Sequence, residues 1–366
     1  MQNKLKLRKI EVLLFATPVL VVALALGGNL VARSLAAVPP SPPVKLTGPG
    51  GVVAPSSRTG MVYSAAFAPN SRILASGDDA ASVKLWDVRT GQVTRTFTGH
   101  QGIVHSLAFS SDGKQLLSGS TVYKPYLDGG EMKLWDVASG KALRSLAWKD
   151  FYIRVVAFAP DNKTVALGGL KAKGEKAATV VELRDAPTGK LLKTLTQTED
   201  RRYEISSLVF SPDGKLLASP MQAGGKLWSV ATGKVLRALP HHGGLLPEPV
   251  AFSPDSKVLA QGYGGTVELR SALTGVLLST LTVPLQRAGL GLEKIAFLSD
   301  TEVLGKMPFD LCLWDTRPGE PVKILEGYGH LGEAVLSRDR RMLAGKAGND
   351  LMLQKLDWDN ARVVRP

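Results

Sequence analysis

The chain predicts an all-β fold: a seven-bladed β-propeller of four-stranded antiparallel blades, preceded by one N-terminal apolar helix. Three observations carry this reading. A strand ends on a bulky residue seven times, at Trp86, Trp135, Arg184, Trp228, Arg270, Trp314 and Leu356. Five residues after each stands a turn residue: Gly91, Gly140, Gly189, Gly233, Gly275, Gly319 and Ala361. The bulky positions recur at intervals of 49, 49, 44, 42, 44 and 42 residues. A period of this length, made of short strands and glycine turns, marks a ring of small sheets. Such a ring forms one continuous unit, so 366 residues with 38 glycines need not be divided into two average domains.

The elements of one unit follow in order. The innermost strand closes on Phe and a turn: Phe67-Ala-Pro-Asn70, Phe109-Ser-Ser-Asp112, Phe158-Ala-Pro-Asp161, Phe210-Ser-Pro-Asp213, Phe252-Ser-Pro-Asp255 and Phe297-Leu-Ser-Asp300, with Leu336-Ser-Arg-Asp339 as a decayed seventh. Proline presets φ near −65° in such a turn, and Asp or Asn accepts hydrogen bonds from its amides. A short uncharged run follows, such as Ile73-Leu-Ala75 or Leu216-Leu-Ala218, as expected of a strand covered on both faces. The third strand, Val83-Lys-Leu-Trp-Asp87 and its equivalents, alternates in character, and the more polar fourth suits an outer edge.

Leu85-Trp-Asp87, Leu134-Trp-Asp136 and Leu313-Trp-Asp315 carry a Trp-Asp pair, and Gly99-His100 and Gly329-His330 a Gly-His pair. In these features residues 58–366 resemble WD40 repeats. That resemblance implies a propeller that binds other proteins and does no chemistry. It also implies a hydrogen-bonded His, Ser or Thr, turn Asp and strand Trp in each blade. Here the second unit comes nearest, with His100, Ser118, Asp128 and Trp135, although an insertion at 122–126 disturbs the spacing. Arg184, Arg270 and Leu356 replace Trp, and Ala80 stands where the first unit would place its Asp. A half-satisfied buried network is worse than none, so most blades are expected to rely on apolar packing.

The N-terminus is a separate object, residues 1–38. Lys4, Lys6, Arg8 and Lys9 precede the uncharged stretch 12–32, the grammar of an export signal. It reads either as an uncleaved transmembrane anchor or as a signal cleaved near Ser34-Leu-Ala36; both put the propeller in an extracytoplasmic location, membrane-anchored or secreted. Residues 39–57 read as a linker, opening on the stiff Pro39-Pro-Ser-Pro-Pro43. Within it, Val44-Lys-Leu-Thr-Gly48 resembles the end of an outer strand such as Thr96-Phe-Thr-Gly99. Two closures of the ring therefore stay open: residues 44–48 pair at the edge of the seventh blade, or the short C-terminal tail supplies that strand.

The chemistry-bearing residues are sparse. Cys312 is the only cysteine and lies two residues before Trp314, so the two share a strand face and the thiol belongs to the core. His241 and His242 are adjacent and would point apart on a strand, while Asp357 and Asp359 fall in a turn, so no metal site is expected. No nucleophile elbow, phosphate loop or dinucleotide fingerprint is present, and no cofactor is expected. The net charge of +13 raises the question of nucleic acid, which export argues against. Anionic headgroups, envelope polymers or plain solubility then account for the charge.

The WD40 resemblance also implies where a partner docks. Four residues before each Phe landmark (or before Leu336) lies a position that in WD40 proteins tends to face the rim of the central channel. Its occupants are Tyr63, His105, Arg154, Ser206, Glu248, Glu293 and Gly332, and two residues further back lie Tyr152 and Glu204 among others. Tyr63, His105, Tyr152 and Arg154 are aromatic or basic, whereas Glu204, Glu248 and Glu293 are acidic. The expected function is a non-catalytic protein–protein interaction scaffold on the outer side of a membrane, binding a protein or peptide at a mouth polarised in this way. Two other classes remain: a funnel-active enzyme resembling lactonase or quinoprotein propellers, and a binder of envelope glycan or anionic polymer.

Overall fold

The computed structural model describes residues 44–45, 61–123, 127–173, 176–198, 205–221, 224–243, 248–283, 291–317, 322–326, 328, 331–347 and 350–364. The apolar stretch 12–32, and the helix expected there, lie outside them. The described residues form seven antiparallel sheets. Consecutive stretches make the blades: 62–97, 103–148, 151–198, 209–239, 250–282, 294–326 and 332–355 for blades 1 to 7. In blade 1 the second strand, Ile73–Asp78, is buried over five of its six residues, while the outer strand, Val93–Phe97, mixes exposed and covered positions. This gradient follows from the sequence, because apolar runs stay where both faces are covered and polar strands take the edge.

The core lies between the blades. Seven clusters of buried apolar side chains each draw on two neighbouring blades, one for every seam. The strand-ending tryptophans belong to these seams. Trp135 of blade 2 packs with Leu85 and Phe97 of blade 1, its ring stacked on Phe97 with centroids 5.1 Å apart. Cys312 is buried with Trp314 in the seam of blades 5 and 6. Each fully buried side chain of this size contributes about 1.5–3 kcal/mol, so the seams dominate the stability of the ring.

The fixed five-residue offset is that of a turn closed by a backbone hydrogen bond, as from Gly91 N–H to Asp87 O at 2.8 Å, and at three of these turns a polar clamp from the blade behind is added. Arg95, on the outer strand of blade 1, donates to the carbonyls of Ala138 and Ser139 in the turn of blade 2, at 2.7 and 2.9 Å. Arg144 of blade 2 donates to Pro187 O of blade 3 at 2.7 and 3.0 Å, and Arg237 of blade 4 reaches Leu273 O of blade 5. The turn glycine sits beneath the clamp. Gly140 has φ +76°, and a Cβ built on it would lie 2.8 Å from Arg95 Cδ. Glycine is therefore required twice there, for backbone handedness and for room.

A second set of links joins the turns that follow the inner strands. Ser71, Asn162 and Ser256 adopt positive φ of 57°, 55° and 64°. Each accepts a backbone amide from the preceding blade: Asp339 N–H to Ser71 Oγ at 3.1 Å, Ser111 N–H to Asn162 Oδ1 at 2.6 Å, and Asp213 N–H to Ser256 Oγ at 3.0 Å. The unfavourable handedness, about 1–3 kcal/mol per residue, is offset by a hydrogen bond across the seam.

The two ends of the described chain meet different blades. Val44–Lys45 lies antiparallel to the third strand of blade 7, opposite Leu353 and Met352, and forms its outer strand. The C-terminal strand, Arg362–Val364, does not serve blade 7. It pairs with Val322–Glu326 and becomes a fifth strand of blade 6. The decay of the seventh turn marker from Gly to Ala follows from this path. After blade 7 the chain makes a 3-10 turn at Trp358–Asn360, and Ala361 is extended at φ −69°. No left-handed residue is needed where the chain leaves its blade.

Gly140→Ala is expected to destabilise the protein by about 2 kcal/mol or more, read by urea unfolding. Part of that cost should vanish in an Arg95→Ala background, where the added methyl no longer meets the clamp; strict additivity would count against the clamp.

Candidate functional site

Backbone irregularities build the mouth. The ladder between the first and second strands shifts register between Val62 and Ser64, between Val104 and Ser106, and between Ile153 and Val155. The residues skipped are Tyr63, His105 and Arg154. A bulge at the same position in three successive blades breaks the alternation of the pleat and re-aims one side chain per blade. The rings of Tyr63 and His105 meet edge to face, with centroids 5.6 Å apart. Lys346 Nζ of blade 7 lies over Tyr63, 5.4 Å from its centroid. On the other side the Arg154 charge acts on His105. Burial, with that charge adding to it, pushes the imidazole down to about 4. Tyr152 is half-buried on the same strand as Arg154, opposite Leu170. Blades 7, 1, 2 and 3 thus carry a continuous crescent of aromatic and basic groups.

The acidic half expected from the sequence is not assembled in the same way. Glu248 is buried at 5% exposure. Its carboxylate accepts the His242 amide at 2.8 Å and Gln261 Nε2 at 2.6 Å, and lies 2.9 Å from His242 Nδ1. His242 in turn stacks on Tyr263, with centroids 3.6 Å apart and planes 7° from parallel. Glu293 pairs with the buried ammonium of Lys306. Glu204 lies outside the described residues. A count of residue types along the rim registers charge but not the partner that neutralises it. Among the described residues the mouth is therefore basic and aromatic on one side, while Glu248 is buried and Glu293, though exposed, is paired with Lys306.

The blade networks also differ from expectation. In blade 2, Trp135 Nε1–H donates to Ser118 Oγ at 2.8 Å, and Ser118 Oγ lies 2.6 Å from His100 Nε2. His100 Nδ1 lies 3.1 Å from Glu131 Oε2, which also accepts the Gln101 amide at 2.9 Å. Glu131 supplies the carboxylate of this chain, and the side chain of Asp128, expected there from the sequence, lies outside the described residues. The insertion lengthens the hairpin to strands of nine and ten residues, which leaves a strand position to supply the carboxylate. Burial holds His100 below its ordinary value against the pull of Glu131. Burial opposes the Glu131 charge, but hydrogen bonds from His100 and Gln101 outweigh it and keep the carboxyl below the usual range.

This Ser–His–Glu order resembles a hydrolytic triad. Ser118 is wholly buried and its oxygen already accepts the Trp135 N–H, so it has no path to a substrate. Among the described residues no group of three or more His, Cys, Asp or Glu is placed to hold a metal.

Apolar packing alone does not replace tryptophan in blades 3 and 5. Arg184 donates from Nε and Nη2 to Glu182 Oε2 at 2.8 and 2.6 Å, and Arg270 does the same to Glu268 at 2.9 and 2.7 Å. Arg184 also lies over the Trp148 ring at 4.8 Å. The sequence held the signal: a glutamate two residues before the arginine, on the same strand face.

Comparison with known proteins agrees with this architecture. The family described as "WD domain, G-beta repeat" matches residues 53–87, 91–136 and 189–225. A periodic tryptophan protein 2 homolog of Schizosaccharomyces pombe is 43% identical over 14% of this chain and 6% of its own length. A U3 snoRNP-associated protein-like protein of Arabidopsis thaliana, EMB2271, is 46% identical over 15% of this chain and 12% of its own. The matches thus span a small part of these relatives. The crystal structure of the Cps50 (Swd1) β-propeller domain of Myceliophteria thermophila superposes with a TM-score of 0.63 at 18% identity, over 86% of this chain and all of that one. At that identity the likeness is one of fold. Three stretches of the chain carry WD40 repeats, and the described residues fold as a seven-bladed β-propeller.

The extracytoplasmic location expected from the N-terminus is corrected by these findings. The curated relatives are a periodic tryptophan protein and a U3 snoRNP-associated protein. Hydropathy reports how readily a segment leaves water, not where its chain resides. The expected membrane contact, envelope ligands and exclusion of nucleic acid all rested on export and lose that ground.

The half-buried His105 gives the mouth a pH signature. Its folded-state value lies below the ordinary 6.5, so the unfolded chain binds the proton more tightly and stability falls as pH drops. Between about pH 7 and about pH 4.5 this one residue should cost on the order of 2 kcal/mol. His105→Gln should flatten that part of the acid limb in urea unfolding measured across the range; an unchanged slope would contradict the assignment.

Proposed function

We propose that this chain is a non-catalytic interaction scaffold that binds a protein partner at the mouth formed by blades 7, 1, 2 and 3. The observation that carries the reading is the bulge repeated at Tyr63, His105 and Arg154. Aromatic and arginine side chains anchor interfaces because they bury large areas with few rotatable bonds and make directed polar contacts. WD40 repeats fit such a role, and nothing in the buried Ser118–His100–Glu131 chain supports catalysis. The likeness to a U3 snoRNP-associated protein adds a setting, a scaffold working as a subunit of a larger assembly.

Replacing Tyr152 and Arg154 together with Ala should weaken binding to a partner recovered with the intact protein by at least about tenfold, the loss of one anchor. Titration by isothermal calorimetry reads this, with thermal unfolding as a control for the fold. Unchanged affinity in a folded variant would remove the mouth from the interface.

A further inference from the structure

The outer strands of the blades share a feature that blade 5 lacks. Opposite the leucine that precedes the bulky residue, the outer strand places a cation: Arg95, Arg144, Lys193, Arg237 and Lys323 in blades 1, 2, 3, 4 and 6. Blade 5 has Ser279 there, and its outer strand, Leu277–Thr282, carries no charge at all. The start of this strand is also unusually apolar. Leu273, Val276, Leu277 and Leu278 are exposed by 74, 61, 46 and 57%, whereas the equivalent stretches of blades 2, 3 and 4 show one, two and two such side chains. Leu281 is buried in the seam with blade 6, so alternation puts Leu277 on that face of the strand and Leu278 on the other. No strand among the described residues pairs with its far edge. A cation on an edge strand discourages pairing with another chain, and an uncharged, exposed strand without proline invites it.

The neighbouring blade shows what such an edge takes up. At blade 6 the edge of Val322–Glu326 accepts Arg362–Val364 as an antiparallel fifth strand, with Val364 opposite Val322 and Val363 opposite Lys323. We propose that the outer edge of blade 5 is a second binding surface, which takes up an extended segment of a protein partner as an antiparallel fifth strand. Backbone N–H and C=O groups along the edge supply the affinity. The segment's alternating side chains, uncharged and β-branched, pack beside Leu277 on one face and Leu278 on the other. A second copy of this chain fits less well. Two bodies of net charge +13 repel one another, and a single six-residue edge falls short of the roughly 1,000 Å² that a stable interface between globular partners buries. An extended segment needs no such area, because the edge alone meets its hydrogen bonds. This surface does not rest on the reading of the mouth.

Fluorescence anisotropy of the full chain with a labelled Glu-Val-Thr-Val-Thr-Val-Glu peptide tests the proposal. A second probe, N-methylated at every Val and Thr, keeps the side chains and charge but loses the backbone donors. The first peptide should bind saturably and the second should not. Ser279→Arg, which restores the cation of the other blades, should weaken binding at least about tenfold, and Leu278→Lys, at an exposed position, should do the same. Thr194→Arg, exposed on the outer strand of blade 3, should leave binding unchanged, and all three variants should keep the wild-type unfolding midpoint. Equal binding of the two peptides, no saturable binding, or undiminished affinity in the folded blade 5 variants would overturn the proposal. So would a dimer at physiological salt, seen by sedimentation and abolished by Ser279→Arg, since the edge would then belong to a second copy. Alanine at Tyr152 and Arg154 should not alter this peptide's affinity, so failure here and failure at the mouth are told apart.

Discussion

Contact between neighbouring blades is the constraint on which the structure depends. No blade has a core of its own; its apolar faces are covered only when the next blade is in place. The arginine clamp makes the dependence directional, since Arg95, Arg144 and Arg237 each reach forward to the turn of the following blade. Ser71, Asn162 and Ser256 answer from the other side, receiving amides from the blade behind. Packing and polar links therefore act at the same seams, and a ring so built must close. Among the described residues, Val44–Lys45 completes blade 7 and Arg362–Val364 adds a strand to blade 6.

The mouth follows from the same geometry. Seven sheets converge on a channel, and each presents one end of its inner strand to the rim. A regular strand would alternate its side chains between the two seams and leave none for the rim. The bulge takes one residue out of that alternation, and it does so at the same place in blades 1, 2 and 3. Tyr63, His105 and Arg154 are thus close without any sequence proximity. Lys346 joins them from blade 7 because the ring brings its last blade beside its first.

Much of this was legible in the sequence. The count of blades came from the bulky residue and the turn residue five positions later, because a hydrogen-bonded turn fixes that offset. The position of Cys312 followed from strand periodicity, and the rim positions were found by counting from a turn whose chemistry is constant. What was not legible depended on partners distant in sequence. Glu248 is acidic in any reading of the chain, but only the fold shows it held by His242 and Gln261. Glu131 gave no signal of its own in the sequence, and only the lengthened hairpin brings its carboxylate to His100. The path of Arg362–Val364 to blade 6 had no marker except the missing glycine at 361. Export was read from a basic flank, an apolar stretch and a small-residue cleavage site, features that carry no information on the relatives of a chain.

The central claim is that the bulged rim of blades 1 to 3 is the face that meets a protein partner. A photoreactive phenylalanine analogue placed at Tyr63, and separately at the exposed Leu143 of the outer strand, tests it most directly. After irradiation of the purified complex, adducts to one defined partner segment should form from position 63 and not from position 143. Adducts from position 143 alone, with the fold intact in both proteins, would contradict the account.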